Sequence, residues 1–68
     1  MSKDIQIKQI QDEAYRTAKR AGSRAAFNLV MDLYPEEAES ILIGLSVTLE
    51  ATGYTKLSAG IDKLAKQI

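Results

Sequence analysis

The chain has 68 residues, with nine Lys/Arg balanced by nine Asp/Glu and with neither cysteine nor histidine. Without thiols and imidazoles, disulfides, zinc sites and the common Cys- or His-based catalytic systems are excluded, so we expect a non-enzymatic protein with no cofactor and no metal. The zero net charge argues against a strong overall attraction to nucleic acid or to an anionic membrane.

The length predicts a single domain over residues 1–68. A domain this small buries only about 60% of the surface that its unfolded chain exposes, and neither disulfide nor metal adds stability, so self-association is favoured. No apolar run approaches the roughly 18 residues of a membrane span, and no secretion signal is recognisable. We therefore expect a cytoplasmic protein that does not bind a membrane.

The first predicted helical segment covers about residues 4–33, with a possible break at residues 22–23. Its first half has one apolar face, formed by Ile7, Ile10, Ala14, Ala18 and Ala21. Beyond Gly22 the apolar stripe rotates by about 100°, and residues 25–34 are nearly apolar all round. Two interpretations stay open: the helix breaks at Gly22 with Ser23 capping a second helix, or it continues and buries a different face in each half.

Small residues recur at spacing four through this segment, at Ala14, Ala18, Gly22 and Ala26. Small side chains let two helix backbones approach closely, so the ladder predicts a packing seam, either within the chain or between chains. Helix propensity alone explains the alanines but not the glycine.

The dipeptide Tyr34-Pro35 predicts an element boundary halfway along the chain. Proline lacks an N–H and disfavours the α conformation in the preceding residue, so the arriving helix should end near Tyr34. Proline followed by Glu36 and Glu37 is typical of the first turn of a new helix.

A second long helix is predicted over residues 35–52, and Gly53 is placed to end it in the left-handed conformation. Its apolar stripe is formed by Ala38, Ile41, Leu42, Leu45 and Leu49. Residues 41–49 also alternate as a strand would, but the helical start signal and the extra apolar Leu42 favour a helix. Such a helix carries a second apolar stripe on its far side, formed by Ile43, Val47 and Ala51.

The last predicted helix covers residues 55–67, with Thr55 as its N-cap. Its apolar face is formed by Leu57, Ile61, Leu64, Ala65 and Ile68. Together these elements predict an all-α fold, a small three- or four-helix domain that pairs as a homodimeric helical bundle.

Two segments of the chain carry apolar residues on more than one helix face, which predicts a surface that another chain covers. One small subunit can scarcely cover both residues 25–34 and residues 41–51, so we expect a binding or regulatory protein that works as a homo-oligomer through a protein partner. The expected interface residues are Phe27, Met31, Tyr34, Ile43, Val47 and Tyr54.

A basic helix face supports an alternative, a DNA- or RNA-binding regulator. The face is formed by Arg16, Lys19, Arg20 and Arg24, at the spacing of a phosphate-contacting stripe. Asp12 and Glu13 precede Arg16 by four and three residues, and intrahelical ion pairs would neutralise part of the face. A solvated, salt-bridged surface therefore competes with nucleic-acid contact.

The segment Ile5-Gln6-Ile7-Lys8 alternates like a short strand and is followed by a helix, a Gly-Ser turn and another helix. Over about residues 3–34 this order resembles the ribbon-helix-helix DNA-binding dimers. The resemblance implies paired N-terminal strands in the major groove, with Gln6 and Lys8 reading bases. The competing interpretation is that this segment is helical, which explains the spacing of Ile10, Ala14 and Ala18 without a strand.

Overall fold

The computed structural model describes the backbone of residues 2–68 and the side chains of residues 6–68. In this range the chain forms four α-helices and a 3-10 turn, and it contains no strand. The elements are α1 (Ser2–Ala21), α2 (Ser23–Leu33), the 3-10 turn (Pro35–Glu37), α3 (Ala38–Ala51) and α4 (Thr55–Ala65). The prediction of a small all-α domain is confirmed. The radius of gyration, 10.6 Å, matches the roughly 11 Å of a compact domain of this length.

The first helical segment breaks at Gly22, which decides between the two interpretations left open by the sequence. Gly22 has φ 99° and ψ 169°, a conformation that is essentially restricted to glycine. Its N–H donates to the Ala18 carbonyl (2.9 Å) at the end of α1, and its own carbonyl accepts from the Ala26 N–H (3.3 Å) at the start of α2. Gly22 thus belongs to the last turn of one helix and caps the next.

The predicted capping role of Ser23 is wrong. Gly22 occupies the N-cap position of α2, and no side chain there hydrogen-bonds to the helix end. The Ser23 hydroxyl instead donates to the main-chain carbonyl of Leu57 in α4 (3.0 Å). Ser23 therefore connects α2 to α4 instead of capping its own helix.

The element boundary predicted at Tyr34-Pro35 is confirmed. The Tyr34 N–H donates to the Val30 carbonyl (2.8 Å) and closes α2, and Pro35 begins the next element. That element starts as a 3-10 turn, and α3 proper begins at Ala38, three residues later than predicted.

Residues 41–49 lie within α3, so the strand interpretation is wrong. The predicted apolar stripe is buried, with Ile41, Leu42, Leu45 and Leu49 each at most 1% exposed. The helix ends as predicted at Gly53, which has φ 95°. The Tyr54 N–H donates to the Leu49 carbonyl (2.8 Å) and the Gly53 N–H to the Glu50 carbonyl (3.1 Å), the bond pair of a Schellman motif.

The observed α4 differs from the predicted helix in its N-cap residue and in its last residue. Tyr54 occupies the N-cap position of α4 without a side-chain hydrogen bond, and Thr55 is the first helical residue, so its predicted capping role is wrong. The helix ends at Ala65, and residues 66–67 form a turn in which the Lys66 N–H still donates to the Asp62 carbonyl (3.1 Å).

The four helices form two hairpins that pack on each other. α1 packs mainly against α2 and α3, and α4 packs mainly against α3 and α2. The core between them is built from aliphatic side chains of all four helices. The alanines of the small-residue ladder lie inside the chain, because Ala14, Ala18 and Ala26 are at most 1% exposed, and Gly22 forms the break between α1 and α2.

A pair of buried serines joins α3 to α4. The hydroxyl oxygens of Ser46 and Ser58 lie 2.8 Å apart. The Ser58 hydroxyl also donates to the Ser46 carbonyl (2.9 Å), and the Ser46 hydroxyl reaches the Ser58 carbonyl (3.3 Å). Both residues are 4% exposed, and these reciprocal bonds remove the cost of burying two hydroxyl groups. The small side chains also let the two helix backbones approach closely.

Candidate interaction surface

Among the large apolar side chains of residues 6–68, Ile43 and Val47 on α3 are exposed at the middle of a helix. They lie one helical turn apart and are 53% and 62% exposed. Ser40 and Ala51 continue the same line towards the two ends of the helix, and both are exposed. At 100° per residue these four residues fall within an arc of about 80°, opposite the buried side of α3. We call this line of Ser40, Ile43, Val47 and Ala51 the α3 strip.

The edge of the α3 strip next to α4 is acidic. Glu39 and Ile43 line a shallow cleft with Asp62, Ala65 and Lys66 of α4. Glu50 is exposed on the same edge of α3, three helical turns beyond Glu39. We call Glu39, Glu50 and Asp62 the acidic rim.

Neutral polar side chains lie along the opposite edge of the strip. The Gln11 side chain of α1 lies across Gly44, and its amide donates to the Ile41 carbonyl (3.4 Å). Thr48 continues this edge, and its hydroxyl donates to the Gly44 carbonyl (3.0 Å). The strip is therefore an apolar line with carboxylates on one side and neutral polar groups on the other.

The remaining predicted interface residues lie in different surroundings from Ile43 and Val47. Phe27, Met31 and Tyr34 are half-buried and pack against the hydrophobic core. They are on α2 or at its end, and the single chain already covers much of their surface. Ile43 and Val47 are the predicted interface residues that face solvent most fully.

Tyr54 belongs to an aromatic contact between α1 and the end of α3. Its ring packs edge-on against Tyr15, with ring centroids 6.1 Å apart at 90°. The Lys19 ammonium lies 4.8 Å from the Tyr15 centroid and 5.4 Å from that of Tyr54. The Tyr15 hydroxyl also donates to Thr52 Oγ1 (2.9 Å). Tyr15 is not among the residues predicted from the sequence, although its spacing of four residues from Lys19 on one helix indicates a contact between them.

The predicted basic stripe is divided in the structure. Lys19 turns towards the two tyrosine rings, whereas Arg16 and Arg20 line an open groove between α1 and α2. Glu13 and Asp32 line the same groove, so two carboxylates accompany the two guanidinium groups. Arg24 is exposed on α2.

The contact of Arg16 with its own helix is to the backbone. Its Nε donates to the main-chain carbonyl of Asp12 (3.5 Å), whereas the spacing in the sequence predicted an ion pair with the Asp12 carboxylate. This weak, exposed bond leaves most of the guanidinium group in solvent.

The strand implied by the ribbon-helix-helix resemblance is absent. Residues 5–8 lie inside α1, which runs from Ser2 to Ala21. Ile10 faces the core and is 4% exposed, as expected for a helix face. Gln6 and Lys8 are exposed on this helix, and the side chain of Ile5 lies outside the described residues. Base reading by an N-terminal ribbon is therefore excluded for this fold.

Metal binding and membrane crossing are the next two properties of residues 2–68 to consider. Among them, no group of three or more Asp and Glu side chains is arranged to hold a metal ion. No helix in residues 2–68 combines the length and the apolar character needed to cross a bilayer. Comparisons of the chain with protein-family models, curated proteins and solved structures find no match.

Proposed function

We propose that the chain is a small non-enzymatic binding or regulatory protein that acts through a protein partner and self-associates as a homo-oligomer. The observation that carries the proposal is the α3 strip. Ile43 and Val47 are adjacent on one helix face, and more than half of each side chain is exposed in the single chain. We assign the strip as the surface that another chain covers.

The energetic argument rests on the two large side chains of the strip. Fully burying a valine or isoleucine side chain contributes about 1.5–3 kcal/mol relative to leaving it exposed. Single exposed apolar residues are ordinary on protein surfaces, but a contiguous apolar line with polar edges is typical of an interaction site. In a symmetric pair the same residues of both copies would be buried together, which doubles the contribution.

Replacement of Val47 by aspartate tests this assignment. Because Val47 is 62% exposed, the substitution should leave the helical content of the single chain unchanged. A carboxylate inside an apolar interface is costly to desolvate, so we expect self-association to weaken at least tenfold, by about 1.4 kcal/mol or more. Sedimentation equilibrium measures the association constant, and circular dichroism measures the helical content.

Leu33→Asp is the matched control, because Leu33 is 54% exposed but lies on α2, outside the α3 strip. This variant should associate like the wild type. A wild-type chain that sediments as a monomer at tens of micromolar would refute the homo-oligomer. Equal weakening by both substitutions would show that the association is not specific to α3.

A nucleic-acid-binding regulator is the second candidate, supported by the exposed guanidinium groups of Arg16, Arg20 and Arg24. Their phosphate contacts would release counterions, so binding would weaken steeply as salt is raised. A gel shift with duplex DNA and with RNA at low salt checks this. Replacing all three arginines by glutamine should abolish any complex. The absence of a complex with the wild-type chain would eliminate this candidate.

A further inference from the structure

We infer that the partner segment received by the α3 strip is a basic amphipathic helix. This inference rests on the proposed function and specifies the chemistry of the partner. Ile43 and Val47 provide the apolar contact along α3, and the acidic rim provides charge along one edge. A helix that lays its apolar side on the strip would bring basic residues over that edge, which is a common mode of peptide recognition.

The charge around the strip is strongly one-sided. Lys66 lines the cleft together with Glu39 and Asp62, so the three carboxylates of the acidic rim and this ammonium group sum to a charge of −2. Residues 35–54 contain four glutamates and no lysine or arginine. Complementary charge on a partner would speed association and exclude acidic competitors. The whole chain has zero net charge, so this preference is a property of the α3 region rather than of the whole protein.

The acidic rim also makes a second copy of this chain a weaker ligand of the α3 strip than a basic helix. When two α3 helices pack antiparallel about the middle of the strip, each presents its α4-facing edge to the same edge of the other. Glu39 of one copy then lies beside Glu50 of the second copy, and the reverse contact repeats on the other side of the symmetry axis. Like charges at these contacts are destabilising, whereas a lysine or arginine at the same places is attractive. Partner binding should therefore displace the self-association that uses this strip.

A pair of synthetic peptides tests the inference on the full chain. Each peptide is an amphipathic helix of about 18 residues, or about 27 Å, with leucine on one face and either lysine or glutamate on the other. Fluorescence anisotropy at low ionic strength should show at least tenfold tighter binding of the lysine peptide. The difference should shrink as salt shortens the Debye length to about 3 Å near 1 M. Amide chemical shifts should move at Ile43 and Val47 rather than at the α1–α2 groove.

Charge reversal provides the matched control. The double variant Glu39→Lys/Glu50→Lys should bind the lysine peptide at least tenfold more weakly and should favour the glutamate peptide. The double variant Glu13→Lys/Asp32→Lys makes the same charge change in the α1–α2 groove and should leave the peptide preference as in the wild type.

The two proposals fail in different ways. Equal binding of the two peptides, or shifts confined to another face, would overturn the basic partner even if sedimentation confirms self-association. A chain that neither self-associates nor binds either peptide would overturn the proposed function itself. A preference for the lysine peptide that survives Glu39→Lys/Glu50→Lys would also overturn the inference, because the acidic rim would then not be its cause.

Discussion

Replacing Leu45 by alanine should destabilise the fold by about 3 kcal/mol, since core leucine-to-alanine changes cost about 2–5 kcal/mol. Leu45 is 1% exposed and packs with the aliphatic core of all four helices. A domain of this size has an unfolding free energy of only about 3–10 kcal/mol. The variant should therefore retain only about 0–7 kcal/mol of unfolding free energy and unfold at a clearly lower urea concentration than the wild type. Urea denaturation followed by circular dichroism measures the loss.

Val47→Ala is the matched control for this prediction. Val47 lies two residues from Leu45 on the same helix but faces solvent, so truncation should change the unfolding free energy by no more than about 0.5 kcal/mol. The comparison requires a concentration at which sedimentation shows single chains, because an interface at Val47 would add its own contribution. Similar losses for the two variants would contradict the orientation of α3.

The second large effect is expected for Gly60→Ala, which should destabilise the fold by about 1–2 kcal/mol. A Cβ at Gly60 would lie 2.6 Å from the Ser23 hydroxyl oxygen and 2.9 Å from the Ser23 Cβ. Rotation of the serine cannot relieve the second contact, and moving Ser23 would break its bond to the Leu57 carbonyl. Overpacking of about 1–3 kcal/mol and the lost hydrogen bond outweigh a helix-propensity gain of about 1 kcal/mol. Thermal and urea unfolding measure the difference.

Gly44→Ala is the control for the glycine substitution, because Gly44 is also inside a helix. Its added Cβ would meet the end of the Gln11 side chain, which can rotate away at the cost of one 3.4 Å hydrogen bond. We expect this variant to be as stable as the wild type or up to about 1 kcal/mol more stable.

A double-mutant cycle locates the cause of the Gly60 effect. Ser23→Gly removes both atoms that the new Cβ would meet, so it should cost less in the Gly60→Ala background than in the wild type. If Gly60→Ala were as well tolerated as Gly44→Ala, the close approach of α2 and α4 would be wrong.

Much of the fold was predictable because it depends on local chemistry. The boundary at Tyr34-Pro35 follows from the fixed φ of proline and its missing N–H, and both are properties of two adjacent residues. The end of α3 at Gly53 follows equally locally, from the tolerance of glycine for positive φ. The N-caps predicted at Ser23 and Thr55 are wrong. The Ser23 hydroxyl donates to the Leu57 carbonyl of another helix, and Tyr54 occupies the N-cap position of α4.

The candidate site was predictable only in part. The spacing of Ile43 and Val47 showed that α3 has a second apolar stripe, and these residues are exposed in the structure. The sequence did not show that Ile43 and Val47 would be exposed while Phe27 and Met31, which are similarly apolar, would pack against the core. The separate environment of Lys19 could not be predicted either, because it depends on the rings of Tyr15 and Tyr54, which are far apart in the sequence.

The sequence by itself determined the helical class, the boundary at Tyr34-Pro35 and most of the inward positions of α1, α3 and α4. These follow from periodicity and from the restricted backbone angles of proline and glycine, which act over a few residues. Ala21 and Ile68 of the predicted stripes are exposed. The tertiary structure alone decided which second face remains exposed and which partner each serine finds. Ser23 and Leu57 are 34 residues apart along the chain, and only the packing of α2 against α4 brings them to 3.0 Å.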